Sequence, residues 1–332
     1  MKQYNVALVG TGAVGSTILE LLEERNFPVK SLKLLATSRS AGKKVTFKGQ
    51  EYEIEETTPE AFDGVEIAFF AGGGASKLFA KEAVARGAVV IDNSSAFRLD
   101  PDVPLVVPEV NPEDVKGHKG IIANPNCSTI QMVVALKPIY DVAGIKRVIV
   151  STYQAVSGAG QEAMDELIQQ NKDLAEDKEV TAKVFPYQIA YNLIPHIDTF
   201  MDNGYTREEM KMVNETRKMF HDYEIAISAT TVRVPVIRSH SEAITIETER
   251  KLSAQEAREI FQKAPGVVLV DDPKELKYPM PLFTSHKDEV FVGRVREDLA
   301  FENGLSFFVV ADQLRKGAAT NAVQIAELLL DT

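Results

Sequence analysis

The chain has 332 residues, 45% of them apolar and 26% charged, which suits about two domains that each bury a core of their own. A formal charge of −11 without a basic stripe argues against nucleic acid or an anionic membrane surface as a partner. No run of about 18 apolar residues is present, "MKQYNVALVG" has no secretory pattern, and one cysteine cannot close an internal disulfide, so a cytoplasmic protein is expected.

The opening "YNVALVG" is a valine-rich run, followed by "TGAVG" and then "STILELLEER", where Ile18, Leu21 and Leu22 recur at helical spacing. Gly10, Gly12 and Gly15 give G-x-G-x-x-G, with Thr11, Ala13 and Val14 between them. A bound pyrophosphate needs this pattern: a tight turn, close backbone approach, and a helix start that offers unpaired N–H groups. A plain glycine-rich turn is the alternative, and the flanking strand and helix favour cofactor binding. The next strand, "SLKLLATSRS", ends in Thr37, Ser38, Arg39 and Ser40 instead of an acid. An acid there would accept from the ribose hydroxyl of NAD, whereas hydroxyls and a guanidinium suit a 2′-phosphate. NADP(H) is therefore the expected cofactor, with Ser38 and Arg39 at its phosphate.

"VEIAFFAGGGAS", "KLFAKEAVARG", "AVVIDNSSAFR", "LVVPEVNP" and "GIIANPNC" continue the alternation of strands and helices. This predicts an α/β fold with a mainly parallel sheet covered on both faces. Ligands gather at the carboxyl ends of such strands, where Gly72 to Gly74, Arg98 and Cys127 fall. The only cysteine lies in "NPNCST", just before the helical pattern "CSTIQMVVAL". Pro125 disfavours helix before it and Asn126 suits an N-cap, which places Cys127 in the first helical turn. The positive end of the helix there favours a thiolate, and neighbouring N–H groups can receive an oxyanion. An inert buried thiol is the alternative, and the strand-end location beside a dinucleotide fold favours a nucleophile.

Past about residue 128 the pattern becomes mixed. "KRVIVSTYQAVSGAG" reads as a strand, "QEAMDELIQQNKDLA" and "TREEMKMVNETRKMF" as helices, and "ISATTVRVPVIRSHSEAITIETE" as one or two strands. "DEVFVGRVREDLAFENGLSFFVVAD" reads as a hairpin turning at Glu302-Asn303-Gly304. The expected organisation is a dinucleotide-binding domain over 1–127, an α+β domain over 128–312, and a final helix over about 313–332 that packs back on the first domain.

Across nearly its whole length the chain resembles the aspartate-semialdehyde dehydrogenase family. The carrying stretches are "GAVGSTILELLEERNFPV", "AFFAGGGASKLFA", "VIDNSSAFR", "PEVNP", "ANPNCSTIQMVVAL", "STYQAVSGAG", "FPYQIAYNLIPHID", "EEMKMVNETRKM" and "VRVPVIRSHSEA". One departure is a first glycine loop a residue shorter than is usual there. The resemblance implies a Rossmann-type NADP-binding domain and a catalytic and dimerisation domain of the glyceraldehyde-3-phosphate-dehydrogenase-like type. It implies interconversion of L-aspartyl-4-phosphate and L-aspartate 4-semialdehyde, with phosphate as co-product and no metal. This step leads toward lysine, methionine, threonine and diaminopimelate.

The resemblance also implies residue roles. Cys127 is the nucleophile, His240 the acid/base and Gln154 the residue that orients the acyl intermediate. Arg98 and Lys211 match the phosphate side, Arg233 the carboxylate clamp and Glu208 the partner of the substrate amine. On spacing alone, Glu208 and Lys211 at i, i+3 read as a routine surface ion pair. Ser157, Gly158 and Gln313 resemble cofactor contacts, and a homodimer or homotetramer is implied. N-acetyl-glutamyl-phosphate reductase shares this chemistry, but its cysteine sits in a different local motif. A non-catalytic dinucleotide-binding relative remains the alternative from another class.

Overall fold

The computed structural model describes residues 2–330, so Met1 of the opening segment and residues 331–332 of the expected final helix lie outside the described residues. The chain divides into two compact units, residues 1–126 with 318–332 and residues 127–317.

In the first unit, β1 (Tyr4–Val9), α1 (Ala13–Glu24), β2 (Val29–Ala36), β3 (Lys44–Phe47), β4 (Gln50–Glu56), β5 (Ile67–Phe70), α2 (Gly73–Ala85), β6 (Val89–Asp92) and β7 (Ile121–Ala123) follow in order. They form one sheet in the order β3-β4-β2-β1-β5-β6-β7, parallel except for the β3–β4 hairpin. Its strands read as apolar runs because helices cover the sheet; Leu8, Ile18, Leu21, Leu22, Leu34 and Phe69 form the core. Each such side chain contributes about 1.5–3 kcal/mol by leaving water. "LVVPEVNP" forms no strand, in contrast to the expected closing unit. Only an isolated bridge joins Leu105 to Ala123, because Pro104 and Pro108 interrupt the donors a ladder needs.

The second unit contains α3 (Cys127–Ala143), β8 (Ile145–Gln154), α4 (Gln161–Ala175), α5 (Arg207–Phe220), β9 (Ala226–Arg233), β10 (His240–Thr248), α6 (Ala254–Lys263), β11 (Val267–Leu269), α7 (Pro281–Thr284), β12 (Val290–Glu297) and β13 (Gly304–Ala311). The sheet order is β11-β12-β13-β10-β8-β9. The segment expected as one or two strands is therefore two, β9 and β10, and they flank β8 on opposite sides. Along β10, His240, Glu242, Ile244, Ile246 and Thr248 are buried on the face where α3 packs. The opposite face shows half-exposed or exposed Ile149, Tyr153, Ala243 and Phe308. The β12–β13 connection spans 298–303, longer than the expected three-residue turn, and Gly304 opens β13 instead of completing the turn. Asp298 organises that loop by accepting from the Ala300 and Phe301 amides.

The expected final helix is divided. A π-helical turn over Arg315–Ala319 precedes α8 (Thr320–Leu328), whose Val323 and Ile325 join the core of the first unit. No helix among the described residues is long and apolar enough to cross a membrane.

Candidate active site

Strand register brings three side chains to one end of the second sheet. Parallel pairing sets Gln154 of β8 beside Arg233 of β9. Antiparallel pairing of Ser241 with Tyr153 carries the preceding residue, His240, alongside Gln154. α3 begins at Cys127, so the thiol stands in the first helical turn, half-buried. Gly317 approaches it so closely that a β-carbon there would lie 3.2 Å from the Cys127 β-carbon.

Arg233 is 6% exposed, and its Nη1 donates to the Ala155 carbonyl at 2.6 Å. Burial pulls its pKa down, while the charges of Glu208 and Cys127 push it back up. The guanidinium is thus within electrostatic reach of the sulfur, and the same attraction favours a thiolate. The Phe185 ring lies 5.9 Å below it. Phe185 belongs to a loop without regular structure that α4 holds in place. Glu166 accepts from the Lys183 and Val184 amides at 2.7 and 2.6 Å, and Gln170 accepts from the Ile189 and Ala190 amides.

His240 is fully buried. The Ala155 N–H donates to its Nδ1 at 3.0 Å, so the neutral ring carries its proton on Nε2, which has no partner among the described residues. Burial first, and the Arg233 charge second, hold its pKa well below the ordinary 6.5. In the unfolded chain the same imidazole takes up a proton near pH 6.5, so the folded state loses stability as pH falls through that value. Urea unfolding between pH 7.5 and 5 is expected to show wild type losing stability relative to His240→Asn, by at most about 1.4 kcal/mol per pH unit. A constant difference would show that the ring takes up its proton over the same pH range in the fold as in the unfolded chain.

The Glu208–Lys211 pair is more than a surface contact. A capping box of Thr206 and Glu209 starts α5, and Glu209 also accepts from the Thr231 amide at 3.0 Å, which fastens the helix to β9. That places Glu208 almost wholly inside, where it accepts from Gln154 Nε2 at 3.2 Å and from Lys211 Nζ at 2.9 Å. Thr152 donates to the Gln154 oxygen at 3.0 Å and completes the chain. Lys211 also meets Asp198 at 2.9 Å; burial draws its pKa down, but the two carboxylates hold it above the usual lysine value.

Gly158 follows β8 in a short 3-10 turn, and a β-carbon there would lie 2.9 Å from Arg233 Nη1 and 3.1 Å from His240 Nε2. Gln313 donates to the Ser157 hydroxyl and accepts from the Ser239 amide at 2.9 Å, linking this turn to the residue before His240. Arg238 is bound elsewhere, to the buried Asp312 at 2.6 Å. Cys127, Gln154, Ser157, Gly158, Glu208, Lys211, Arg233, His240 and Gln313 all belong to the second unit, and Arg98 to the first. Arg98 is buried there, donating to the carbonyls of Asn93 and Asn124 at 2.9 Å.

The first unit holds a cavity of about 840 Å³ at the carboxyl ends of its strands. Gly10, Thr11, Gly12, Ser38 and Ser40 line it, with Gly72 to Gly74 opposite. Nothing lies within 4 Å of where β-carbons on Gly12, Gly72 or Gly74 would project, so these glycines leave room that a dinucleotide backbone can fill. Ala13, Val14 and Gly15 form the first turn of α1 behind the lining. Arg39 is exposed and outside the lining; Lys43 and Lys44, which the sequence reading did not single out, are in it. Gly15 has a different task. A β-carbon there would fall 2.0 Å from the Gly10 carbonyl oxygen. Gly15→Ala is expected to weaken NADP(H) binding by about 10- to 100-fold, the equivalent of about 1–3 kcal/mol of overpacking. Titration calorimetry checks this, and unchanged affinity would mean that the loop tolerates opening.

A family model described as Semialdehyde dehydrogenase, NAD binding domain, matches residues 5–118, and one described as Semialdehyde dehydrogenase, dimerisation domain, matches residues 136–316. The aspartate-semialdehyde dehydrogenase of Aquifex aeolicus is 62% identical over 333 residues, 98% of each chain. That of Campylobacter jejuni is 55% identical, covering 99% of this chain and 98% of its own. The crystal structure of aspartate semialdehyde dehydrogenase II complexed with ASA from Vibrio cholerae superposes with a TM-score of 0.97 at 50% identity, over 100% of this chain and 99% of that one. Sequence, domain order and fold agree along the whole length, and the chain belongs to the aspartate-semialdehyde dehydrogenase family.

Proposed function

We propose that Cys127, His240 and Gln154 carry out the reaction and that Arg98, Arg233, Glu208 and Lys211 hold the substrate. The reaction is NADPH-dependent reductive dephosphorylation of L-aspartyl-4-phosphate to L-aspartate 4-semialdehyde, in lysine, methionine, threonine and diaminopimelate biosynthesis. The observation that carries the residue assignment is the placing of the only cysteine at a helix start, with Arg233 acting electrostatically on both its sulfur and His240.

Cys127 Sγ attacks the acyl carbon, and the phosphate oxygen leaves with the bonding pair, giving a thioester. A nicotinamide cofactor held by this chain would supply hydride to that carbon. His240 Nε2–H protonates the oxyanion that hydride addition leaves, and the same nitrogen takes that proton back as the carbon–sulfur bond breaks, so that aldehyde and thiolate are released. Arg233 offers a fork to the α-carboxylate and Glu208 an anion to the α-ammonium. Lys211 and Arg98 are the residues assigned to the phosphate, and Gln154, tied to Glu208 and Thr152, fixes the acyl group.

The cofactor-binding residues assigned are Gly10, Thr11, Gly12, Ala13, Val14 and Gly15 at the pyrophosphate, Ser38 and Arg39 at the 2′-phosphate, and Ser157, Gly158 and Gln313 near the nicotinamide. The first unit is the NADP-binding domain and the second the catalytic and dimerisation domain. A cytoplasmic homo-oligomer joined through the apolar sheet face of Ile149 and Tyr153 fits the exposure there. The deciding experiment is mass spectrometry of enzyme quenched with acyl phosphate in the absence of hydride transfer. An aspartyl adduct on Cys127 is expected, and an adduct elsewhere or none overturns the assignment.

A further inference from the structure

Glu242 has no part in that chemistry, yet its side chain is fully buried and both carboxyl oxygens lack a hydrogen-bond donor among the described residues. It stands two residues along β10 from His240, on the face toward α3, between Thr152 of β8 and Val309 of β13. A buried carboxylate with neither cation nor donors does not persist; it keeps its proton instead. The titratable groups at this end of the surrounding elements are His240 on its own strand, Cys127 on α3, Arg233 on β9 and Asp312 after β13. Burial is the one cause acting on Glu242, and it pushes the carboxyl well above the ordinary 4.5. A neutral acid has an O–H to donate.

Gln131 supplies the acceptor. It lies one turn after Cys127 on α3, is fully buried, and donates Nε2–H to the His240 carbonyl at 3.3 Å. Its Oε1 accepts from no group among the described residues. The amide nitrogen is docked on residue 240, and Glu242 is the next residue of β10 on the same buried face. The spacings agree, since one helical turn and two strand residues each advance about 5–7 Å.

We propose that Glu242 is a positioning residue: as a neutral acid it donates its O–H to Gln131 Oε1, and Gln131 donates to the His240 carbonyl. The helix that carries the nucleophile and the strand that carries the histidine are thereby held in one register. The catalytic consequence rests on Cys127 and His240 being the reacting pair; the hydrogen bond itself does not.

The test uses the full chain with Glu242→Gln, Glu242→Leu and Gln131→Leu. The infrared difference between wild type and Glu242→Gln at neutral pH is expected to show a protonated-carboxyl band belonging to wild type. Glu242→Leu is expected to lose about 10- to 100-fold in kcat with KM little changed, the size of effect that a misplacement of about 1 Å produces. Glu242→Gln, which keeps a donor, is expected to restore most of that loss, and Gln131→Leu to add little to Glu242→Leu. Unfolding gives a further reading. With a raised folded pKa, the acid's stabilisation is complete below about pH 4.5 and is lost as pH rises toward the folded value, so Glu242→Gln gains on wild type with increasing pH. Absence of the carboxyl band, or wild-type kcat in Glu242→Leu, overturns the proposal. The band does not depend on turnover, so failure here and failure of the Cys127 assignment are separate results.

Discussion

Cys127→Ala is expected to lower turnover by at least about 10⁴-fold, the scale seen when a covalent nucleophile is removed, with NADP(H) affinity unchanged. The two parts of that expectation come from different places in the fold. The sulfur opens α3 in the second unit, where the Arg233 charge acts on it. The cavity built on Gly10 to Gly12 and Gly72 to Gly74 is lined only by residues of the first unit. Alanine removes one atom from a half-buried site and leaves the helix intact, so the loss is chemical. Serine does not restore the rate, because its hydroxyl does not ionise near neutral pH as a thiol does. The composition makes the control simple. With one cysteine in 332 residues, a thiol reagent reads Cys127 alone, and with no tryptophan the nicotinamide fluorescence is free of that background. Steady-state assay with titration of the cofactor decides the matter. An alanine variant that turns over near the wild-type rate would remove the covalent mechanism altogether.

The parts of the molecule legible in the sequence are those specified by neighbours in the chain. The run from β1 through the glycine loop to α1 has its signal within about twenty residues, and so does the cysteine placed by Asn-Pro-Asn at the head of α3. The β3–β4 hairpin is not legible in the sequence, and the reason is local as well. Val45 and Phe47 alternate against Tyr52 and Ile54, but the two-residue turn is Lys48-Gly49, with φ values of 47° and 75°. Such a turn normally announces itself as Asn-Gly or Asp-Gly, and a lysine in that conformation hides it. Hidden with the hairpin are Lys43 and Lys44, the cations that line the glycine-rich cavity beside Ser38 and Ser40.

The chemistry of the second unit is non-local, and spacing alone undervalues it. Glu208 and Lys211 read as a solvated pair until α5 is seen fastened to β9, with Glu208 bonded to Gln154 54 positions away. His240 had no claim over the other histidines until the resemblance supplied one. Its tautomer depends on the Ala155 amide, 85 residues distant in sequence. Glu242 looks like any acid on an alternating strand; only the packing of α3 over that face makes it a buried one.

Gly158→Ala is expected to cost about 100-fold or more in kcat/KM although no functional group is removed. A β-carbon at this position would lie 2.9 Å from Arg233 Nη1 and 3.1 Å from both Cε1 and Nε2 of His240. Gly158 is absent from the positive-φ residues, so its backbone suits alanine and conformational strain is not the cause. Something else must move. The end of a long arginine side chain can often yield, but this one is bonded to the Ala155 carbonyl at 2.6 Å, lies over Phe185, and is 6% exposed. The imidazole is fully buried and pinned at Nδ1 by the Ala155 amide. The methyl group would therefore occupy the space between the guanidinium and the ring nitrogen that has no partner among the described residues, the space that the proposed assignment gives to the reacting carboxyl derivative. Both KM, through the displaced clamp, and kcat, through the displaced imidazole, are expected to suffer, while overpacking of a single methyl lowers stability by about 1–3 kcal/mol. Alkylation of Cys127 at the wild-type rate would show that the nucleophile survives. Thermal unfolding with kinetics on the same sample separates the two effects, and full activity in the alanine variant would mean that this gap is not where the substrate sits.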